Sequence, residues 1–284
     1  MAQQYKVTQR GKLLAFLFDN LEGWSKKTIK QRLQGASVFV NNNVTTKHDY
    51  ILNIHDVVSV GVVERSSHKK VQTLEVIYKD EHLIAINKPA GLLSVGTSSE
   101  TKAHALALLR TQLTRTKKES LKLWPVHRLD RDTSGILLFA TSKETREAVM
   151  DGWDKTEKHY LAVVEGKPKV EKDTLSEPLR LDEKEYRMHV GKHARAKPAI
   201  THYSLKESFG KRSLLEVQID TGRQHQIRAH LSWLGHAIVG DERYGTKGGR
   251  MGLHACKLHF KHPLLNKDVD LEVEAPKDFY ALLK

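Results

Sequence analysis

The residues with the clearest chemical potential lie in the stretch 127–135, directly before an uninterrupted apolar run at 136–140. An apolar run of this kind predicts a buried strand, so the charged stretch is expected at the entrance of that strand. Its charged or titratable members are His127, Arg128, Asp130, Arg131 and Asp132. Carboxylates beside arginines are expected to stay ionised at neutral pH, because an opposite charge nearby lowers the pKa of a carboxyl group. Such a carboxylate suits a nucleophile or a base, and a structural network of ion pairs is the alternative.

A second charged stretch, residues 221–231, predicts a glycine turn that leads into a helix. The first turns of this helix are expected to carry Arg223, His225, Arg228 and His230. Helix N-termini attract anions, and the arginines add positive charge. The two histidines are five residues apart, which is poor spacing for two metal ligands on one helix face. The stretch therefore predicts an anion site and no metal.

The composition limits the class of protein. The chain has 284 residues, enough for one large and one small domain. Its formal charge of +13 favours a polyanionic partner, and a well-solvated basic surface is the alternative. A single cysteine excludes an intrachain disulfide and a cysteine-based zinc site, which fits a reducing compartment. The first residues lack an apolar signal core and no run approaches the roughly 18 apolar residues of a membrane span, so we expect a cytoplasmic protein.

Residues 1–64 are predicted to form a small α/β module. Leucines and phenylalanines at helical spacing predict a helix over 10–21, and Ser25 is expected to cap a second helix over 26–34. Short strands and turns follow. The second helix has a basic face that consists of Lys26, Lys27, Lys30 and Arg32. A polar linker is expected at 65–73.

The main domain is expected over residues 74–284. It opens with a predicted hairpin, residues 74–87, which ends in a turn at 88–95. Ser142 is expected to cap a helix after the buried strand, and alternating segments beyond residue 157 predict further strands.

Four ordered motifs in this domain carry a family resemblance. The stretch His-Arg-Leu-Asp-Arg-Asp-Thr-Ser-Gly at 127–135 resembles the signature of the RluA-type pseudouridine synthases. Residues 88–92, 158–166 and 222–230 read Lys-Pro-Ala-Gly-Leu, Lys-His-Tyr-Leu-Ala-Val-Val-Glu-Gly and Gly-Arg-Gln-His-Gln-Ile-Arg-Ala-His, and they resemble three further motifs of that family. The resemblance covers about residues 74–280. It implies an α/β (α+β) fold with a large mixed, mostly antiparallel sheet and flanking helices.

The resemblance also implies roles for individual residues. Asp130 stands at the position of the essential catalytic aspartate, and Arg228 at that of the arginine that pairs with it. Tyr160 stands at the position of the tyrosine that packs on the target base. The expected substrate pocket further includes His127, Arg128, Leu129, Arg131 and Ile227. Contacts to RNA are expected from Arg223 and from the basic face of the second helix, Lys26, Lys27, Lys30 and Arg32.

The implied reaction converts uridine in structured RNA into pseudouridine. The glycosidic bond breaks, the uracil turns, and a carbon–carbon bond to the same ribose forms. Because neither redox change nor net hydrolysis occurs, no cofactor is expected. The target base must leave its stack, so base flipping is expected. Asp130 could act as a nucleophile or as a base. Ribosomal RNA is the favoured substrate and transfer RNA the alternative, and a monomer without an obligate protein partner is expected.

The N-terminal module bears on the choice of RNA. Its two helices, its small sheet and the stretch Gly-Ala-Ser-Val-Phe-Val-Asn at 35–41 resemble an RNA-binding module first seen in a ribosomal small-subunit protein. A structural cap on the main domain is the alternative.

Two rival functions remain for the whole chain. One is a decayed synthase that only binds RNA, which the joint presence of Asp130, Tyr160 and Arg228 disfavours. The other is a glycosidase or nuclease that uses Asp130 and Asp132, for which the sequence offers neither a metal site nor a clear general acid.

Overall fold

The structure is a computed structural model that describes residues 3–34, 37–41, 43–60, 73–97, 103–114, 121–246 and 248–284. The chain divides into two compact units, Met1–Val71 and Gln72–Lys284. The linker predicted at 65–73 lies outside the described residues, apart from Thr73. The residues Gly35 and Ala36, part of the resemblance of the N-terminal module, also lie outside them.

The first unit packs two helices against short strands. The strands are β1 (Gln3–Lys6), β2 (Gly11–Lys12), β3 (Val38–Val40), β4 (Asn43–Val44), β5 (Ile51–Leu52) and β6 (Val57–Val60), and the helices are α1 (Leu13–Asn20) and α2 (Lys26–Gln34). One sheet has the order β1-β6-β3-β4, and β2 pairs with β5. The helix predicted from residue 10 begins only at Leu13, because β2 takes Gly11 and Lys12 into an extended pair with β5.

Helix α2 begins as its sequence predicts. The Ser25 hydroxyl accepts a hydrogen bond from the Thr28 N–H at 3.1 Å, which satisfies one of the unpaired donors of the first turn. Ile29 and Leu33 are buried in the core of the unit. Lys26, Lys27 and Lys30 are exposed, and Arg32 lies over the ring of Trp24.

The second unit is built on a ten-stranded sheet. Its strands run in the order β12-β15-β16-β11-β17-β10-β8-β7, with β9 beside β10 and β18 beside β17. The bounds of the strands, including the separate hairpin β13–β14, are β7 (Glu75–Lys79), β8 (Leu83–Lys88), β9 (Trp124–Pro125), β10 (Ser134–Ala140), β11 (Glu157–Glu165), β12 (Lys172–Leu175), β13 (Leu179–Asp182), β14 (Arg187–Val190), β15 (Thr201–Phe209), β16 (Arg212–Ile219), β17 (Leu253–Lys261) and β18 (Asp268–Glu272). Strands β10 and β17 run parallel, and the other neighbouring strands of this sheet pair antiparallel. The predicted fold class, a mixed and mostly antiparallel sheet with flanking helices, is confirmed.

Four α-helices flank this sheet within the described residues: α3 (Ala105–Leu113), α4 (Lys143–Asp151), α5 (Gln226–Trp233) and α6 (Lys277–Tyr280). The Ser142 hydroxyl accepts the Thr145 N–H at 3.0 Å and so caps α4 as predicted. Among the described residues, no helix has both the length and the apolar character that crossing a membrane would require.

Strand β10 is buried along its whole length because both of its faces are covered. Leu137 packs in the cluster that contains Leu109 of α3, whereas Leu138 packs on the opposite face in the cluster that contains Val149 of α4. A strand buried on both faces needs a continuous apolar sequence rather than an alternating one. This burial anchors the loop of residues 127–133, which leads into β10.

The close approach of β10 and β17 brings two motifs together. Gly135 has φ +112°, and a Cβ atom there would lie 2.1 Å from the carbonyl oxygen of Ala255. Only glycine allows both the backbone conformation and this contact. Ala255 pairs with Gly135 on one side and with Tyr160 on the other. The loop that carries Asp130 and the strand that carries Tyr160 are therefore separated by a single strand.

Candidate active site

The backbone on both sides of Asp130 is fixed by the turn that follows β8. The Ser94 hydroxyl donates to the Leu129 carbonyl at 2.8 Å and accepts the Leu129 N–H at 3.0 Å. On the other side, the Lys88 ammonium donates to the Arg131 carbonyl at 3.0 Å. Asp130 thus lies between two residues whose peptide groups are held in place. The backbone that carries its side chain is therefore fixed.

Lys88 is a fully buried cation that satisfies three carbonyl groups. Its Nζ atom donates to the carbonyls of Pro89, Leu92 and Arg131 at 2.7–3.0 Å. Burial lowers the pKa of Lys88 to about 7, and the negative charges of Asp132 and Asp130 oppose this shift. An ammonium group has three N–H donors for these three carbonyls. The residue therefore joins the Lys-Pro-Ala-Gly-Leu turn to the Asp130 loop.

Replacing Lys88 with methionine should destabilise the protein and lower its activity. The apolar stem is kept, but three buried carbonyls lose their donor, so we expect the free energy of unfolding to fall by about 3 kcal/mol. Chemical denaturation measures this loss. Lys79→Met is the matched control, because Lys79 is exposed on β7 and should change stability by less than about 0.5 kcal/mol. Equal stability of the two variants would contradict the anchoring role.

Asp130 forms an ion pair with Arg228, the partner that the family resemblance implies. Arg228 Nη1 donates to Asp130 Oδ2 at 2.9 Å. The other edge of the guanidinium makes a bidentate pair with Asp241, through Nε to Oδ2 at 2.7 Å and Nη2 to Oδ1 at 2.8 Å. Burial alone would lower the pKa of Arg228, but Asp241 and then Asp130 outweigh it and raise the pKa. Arg228 is therefore a fixed cation held between two carboxylates.

Asp241 is a residue to which the sequence patterns assigned no role. Its carboxylate is fully buried, and it also accepts the N–H groups of Arg243 and Tyr244 at 3.0 and 3.1 Å. Burial raises the pKa of this carboxyl group, but the hydrogen bonds and charge of Arg228 with the two backbone donors outweigh that effect and lower it. Asp241 thus orients the arginine that holds Asp130.

His225 is a second residue near Asp130 whose role the sequence did not reveal. Its Nε2 atom lies 3.8 Å from Asp130 Oδ1, and its Nδ1 atom lies 3.1 Å from the Tyr244 hydroxyl. Burial lowers the pKa of His225, more than the nearby charge of Asp130 raises it. The imidazole is therefore neutral near pH 7.

Tyr160 lies on β11 between two apolar clusters. One cluster contains Leu129 and the other contains Ile227. Tyr160 packs against both clusters and so connects these two predicted pocket residues. Burial, followed by the charge of Asp130, raises the pKa of the Tyr160 phenol above its ordinary value. Tyr160 is thus a neutral aromatic surface close enough to Asp130 to feel its charge.

Comparisons with known proteins place this constellation in a family. The RNA pseudouridylate synthase family matches residues 82–233 of the chain. The chain belongs to this family. The RluA-type resemblance and the enzyme class, an RNA pseudouridine synthase, are thereby confirmed, while the resemblance of the N-terminal module stays a prediction.

Individual relatives agree with this assignment. Ribosomal large subunit pseudouridine synthase D of Zymomonas mobilis is 31% identical over 239 residues, which cover 78% of this chain and 75% of that protein. The uncharacterised RNA pseudouridine synthase YlyB of Bacillus subtilis is 30% identical over 281 residues, 95% of this chain and 92% of the relative. The structure of human RNA pseudouridylate synthase domain containing 1 shares the fold, with a TM-score of 0.62 and 24% identity over 76% of this chain and 90% of that one.

Four further predicted residues of this pseudouridine synthase are three that were expected in the substrate pocket and Arg223, which was expected to contact RNA. His127 was expected in the pocket, but it stacks on Trp153 and its Nε2 accepts the Leu138 N–H at 3.2 Å. Burial and then Lys158 lower the pKa of His127 to about 4, so this side chain is a neutral interior group. Arg128 is exposed, and Arg131 is an exposed residue whose Nε donates to the Gly91 carbonyl at 3.2 Å. Arg223 donates to the Pro198 carbonyl at 2.9 Å.

The helix predicted to carry Arg223 and His225 begins only after them. The first helical residue of α5 is Gln226, whose side-chain oxygen accepts the Arg223 N–H at 3.0 Å and the Thr221 hydroxyl at 2.8 Å. His225 has φ 49° and ψ 22°, a left-handed conformation that a helix does not continue through. Residues 221–225 therefore form a turn closed by Gln226.

A cleft of about 1140 Å³ adjoins the Asp130 site of this synthase. Its lining includes Arg131, Arg228, Arg243 and Arg250. Acidic side chains line it as well, so it is not uniformly basic. Asp130 and Tyr160 are outside its lining, so the cleft meets the site at Arg228 rather than containing it.

The geometry does not support the rival hydrolase hypothesis. A glycosidase needs two carboxyl groups placed for acid and nucleophile roles. The second carboxylate near Arg228 is Asp241, which is fully buried and fully bonded. Asp132 is exposed. Within the described residues, no cluster of three or more His, Cys, Asp or Glu side chains could hold a metal ion.

Proposed function

We propose that this chain isomerises specific uridines in structured RNA to pseudouridine, with Asp130 as the catalytic residue and without a cofactor. The observation that carries the proposal is the convergence of Asp130, Arg228 and Tyr160 from three separate motifs. Ribosomal RNA is the favoured substrate and transfer RNA the alternative.

The reaction fits a site built around one anchored carboxylate. The bond between N1 of uracil and C1′ of ribose breaks, and a bond between C5 and C1′ forms. C5 loses a proton and N1 gains one, so the atoms balance without an oxidant or a water molecule. Asp130 can attack the sugar as a nucleophile or remove a sugar proton as a base. In both cases Arg228 holds Oδ2 through a charge-assisted hydrogen bond, which leaves Oδ1 for the reaction.

Tyr160 supports the proposal as a stacking surface for an extruded base. Flipping a base out of its stack costs a few kcal/mol, and stacking on an aromatic side chain returns about 1–3 kcal/mol per base. Because burial keeps Tyr160 in its neutral form, its hydroxyl is available as a hydrogen-bond donor rather than as a base. Leu129 and Ile227 would close the apolar sides of the same pocket.

Two observations favour a ribosomal substrate. Several relatives are named as pseudouridine synthases of the large ribosomal subunit, including those from Zymomonas mobilis and Vibrio cholerae. The chain itself is strongly basic, with a formal charge of +13, which suits a large folded RNA. The N-terminal unit adds exposed lysines on α2.

Pseudouridine mapping tests the function. RNA from cells that lack this chain would be compared with RNA from the same cells after the wild-type protein is restored. Loss of one or a few sites and their return with wild type would identify the substrate. If purified protein also leaves unmodified ribosomal and transfer RNA transcripts unchanged, the proposal that these RNAs are its substrates fails.

The basic helix gives a separate prediction about RNA affinity. We expect the triple variant Lys26→Ala, Lys27→Ala, Lys30→Ala to bind ribosomal RNA more weakly, because these exposed side chains would bind phosphates. The slope of log affinity against log salt should become shallower by roughly 0.7–0.9 for each phosphate that the variant no longer neutralises. Fluorescence anisotropy at several salt concentrations measures both quantities. The charge-matched control removes three exposed lysines of the second unit, Lys167, Lys169 and Lys172. The same slope in both variants would refute a specific role for α2.

A further inference from the structure

His225 has a left-handed backbone conformation at the start of α5. Its φ of 49° places a non-glycine residue in the left-handed region, directly before α5. Such a conformation costs on the order of 1–3 kcal/mol and persists where surrounding contacts impose it. The imidazole is almost fully buried and points at Asp130 Oδ1 from 3.8 Å.

The hydrogen bonds of Tyr244 favour one of the two neutral tautomers of His225. The Tyr244 hydroxyl accepts the Met188 N–H at 2.7 Å, and His225 Nδ1 lies 3.1 Å from the same oxygen. A hydroxyl has one proton to donate, and His225 Nδ1 is the neighbouring atom that can accept it. Nδ1 is then the acceptor, and the proton of the neutral imidazole is on Nε2, which faces Asp130.

The ring of Tyr244 is itself held by two guanidinium groups. The guanidinium of Arg187 lies 4.9 Å from the ring centre and that of Arg228 lies 5.2 Å from it. Cations over an aromatic face attract the ring electrons and fix the ring position. The hydroxyl is therefore directed at His225 by contacts from β14 and α5.

We propose that His225 is a positioning residue for Asp130: its Nε2–H holds Oδ1 of the carboxylate once RNA is bound, and Tyr244 fixes the tautomer that makes this contact possible. This inference rests on the proposed function. Arg228 already holds Oδ2, so the second donor would fix the carboxylate plane. A gap of 3.8 Å in the free enzyme is compatible with this role, because catalytic hydrogen bonds often tighten only when substrate binds.

The charges around His225 favour this neutral donor. Burial disfavours the imidazolium, as do the positive charges of Arg228 and Arg243, whereas Asp130 and Asp241 favour it. The sum lowers the pKa of His225. A neutral donor adds no charge beside Asp130, whose ion-pair partner is Arg228, and it can shift slightly without separating an ion pair.

The test measures single-turnover tritium release from an unmodified ribosomal RNA transcript labelled at C5 of uridine, since C5 loses its hydrogen when pseudouridine forms. His225→Ala should lower the rate by about tenfold at saturating enzyme, because a bond to an ionised group is removed. The low-pH side of the rate profile should move to higher pH, because this variant lacks the Nε2–H donor to the carboxylate. His225→Gln supplies an amide N–H near the position of Nε2 and should stay within about threefold of wild type.

A double-mutant cycle separates positioning from packing. Tyr244→Phe keeps the ring but removes the hydroxyl that fixes the tautomer and accepts the Met188 N–H, so it should slow wild type by about threefold. In the His225→Gln background it should have no further effect, because glutamine has no tautomers. His230→Gln is the control, because His230 lies on α5 but bonds to Thr201 and the Glu177 carbonyl; it should lower the melting temperature without shifting the pH profile.

Each result supports or overturns the positioning role. Equal effects of Tyr244→Phe in both backgrounds, or an unshifted pH profile in His225→Ala, would overturn it.

A readout without RNA is the ¹⁵N spectrum of histidine-labelled protein, in which the His225 signals are identified by their loss in His225→Gln. They should show the proton on Nε2 in wild type and a mixture in Tyr244→Phe. A proton on Nδ1 in wild type would overturn the inference even if tritium is released, whereas wild type that releases no tritium from ribosomal or transfer RNA would overturn the proposed function as well.

Discussion

Asp130→Asn should abolish measurable conversion of uridine while leaving the protein folded and able to bind RNA. Asparagine has nearly the shape of aspartate, and its side-chain oxygen can still accept the hydrogen bond that Arg228 Nη1 donates at 2.9 Å. It cannot attack a sugar carbon or take a proton, so we expect the single-turnover rate to fall by at least about 10³-fold. Arg228 keeps its bidentate partner Asp241, so the free energy of unfolding should change by no more than about 1 kcal/mol.

The control for this variant is Asp132→Asn. Asp132 belongs to the same loop and carries the same charge, but it is exposed, and the carboxylates that bond to Arg228 are those of Asp130 and Asp241. Its rate should change by less than about tenfold. Tritium release measures both rates, and anisotropy confirms that both variants bind the same transcript. A residual rate of Asp130→Asn within tenfold of wild type would transfer the catalytic role to another group.

The parts of the site that the sequence predicted are those carried by local patterns. The apolar run after Gly135 predicted β10, and the charged stretch before it therefore had to lie at the end of a buried strand. The pairing of Arg228 with Asp130 came from the family resemblance. Spacing alone could not supply it, because the two residues are 98 positions apart.

The parts that the sequence missed depend on contacts between distant elements. Asp241 and Tyr244 belong to a stretch to which the sequence patterns assigned no role, and their roles arise from bonds to Arg228 and His225. Recognising Asp241 would have required knowing that a buried arginine nearby has N–H groups on two edges of its guanidinium, and that each edge needs a hydrogen-bond acceptor. In the sequence, Asp241 stands between Gly240 and Glu242, and this position gives no such signal.

His127 was expected in the substrate pocket, but its side chain points to other partners. It belongs to the same motif as Asp130, and the family resemblance implied a shared pocket. Its ring instead stacks on Trp153, and its Nε2 atom accepts a hydrogen bond from the backbone N–H of Leu138. A histidine in the same motif as Asp130 can therefore form a hydrogen bond to the strand that supports the loop.

Asp241→Asn should be the most destabilising of the conservative changes at this site. Asp241 is fully buried and makes four hydrogen bonds, two of them to Arg228. Asparagine would place an amide N–H against a guanidinium N–H and leave a buried cation with one carboxylate, so we expect a loss of about 3 kcal/mol in the free energy of unfolding. The turnover rate should fall on the order of tenfold as well, because Arg228 would no longer be aimed at Asp130.

The pH dependence of that loss identifies its origin. The pKa of Asp241 is lower in the folded protein than in the unfolded chain, so its ionised form contributes stability that is complete above the unfolded value of about 3.9 and is lost as the pH falls through the folded value. Denaturation curves should therefore show a constant difference between wild type and Asp241→Asn from about pH 5 to 7 and a shrinking difference below about pH 4. Glu242→Gln removes the adjacent exposed carboxylate and should cost less than about 0.5 kcal/mol at every pH. A difference that stays constant down to about pH 2 would mean that asparagine disturbs packing rather than charge, and the account of Arg228 as a cation held between two carboxylates would then fail.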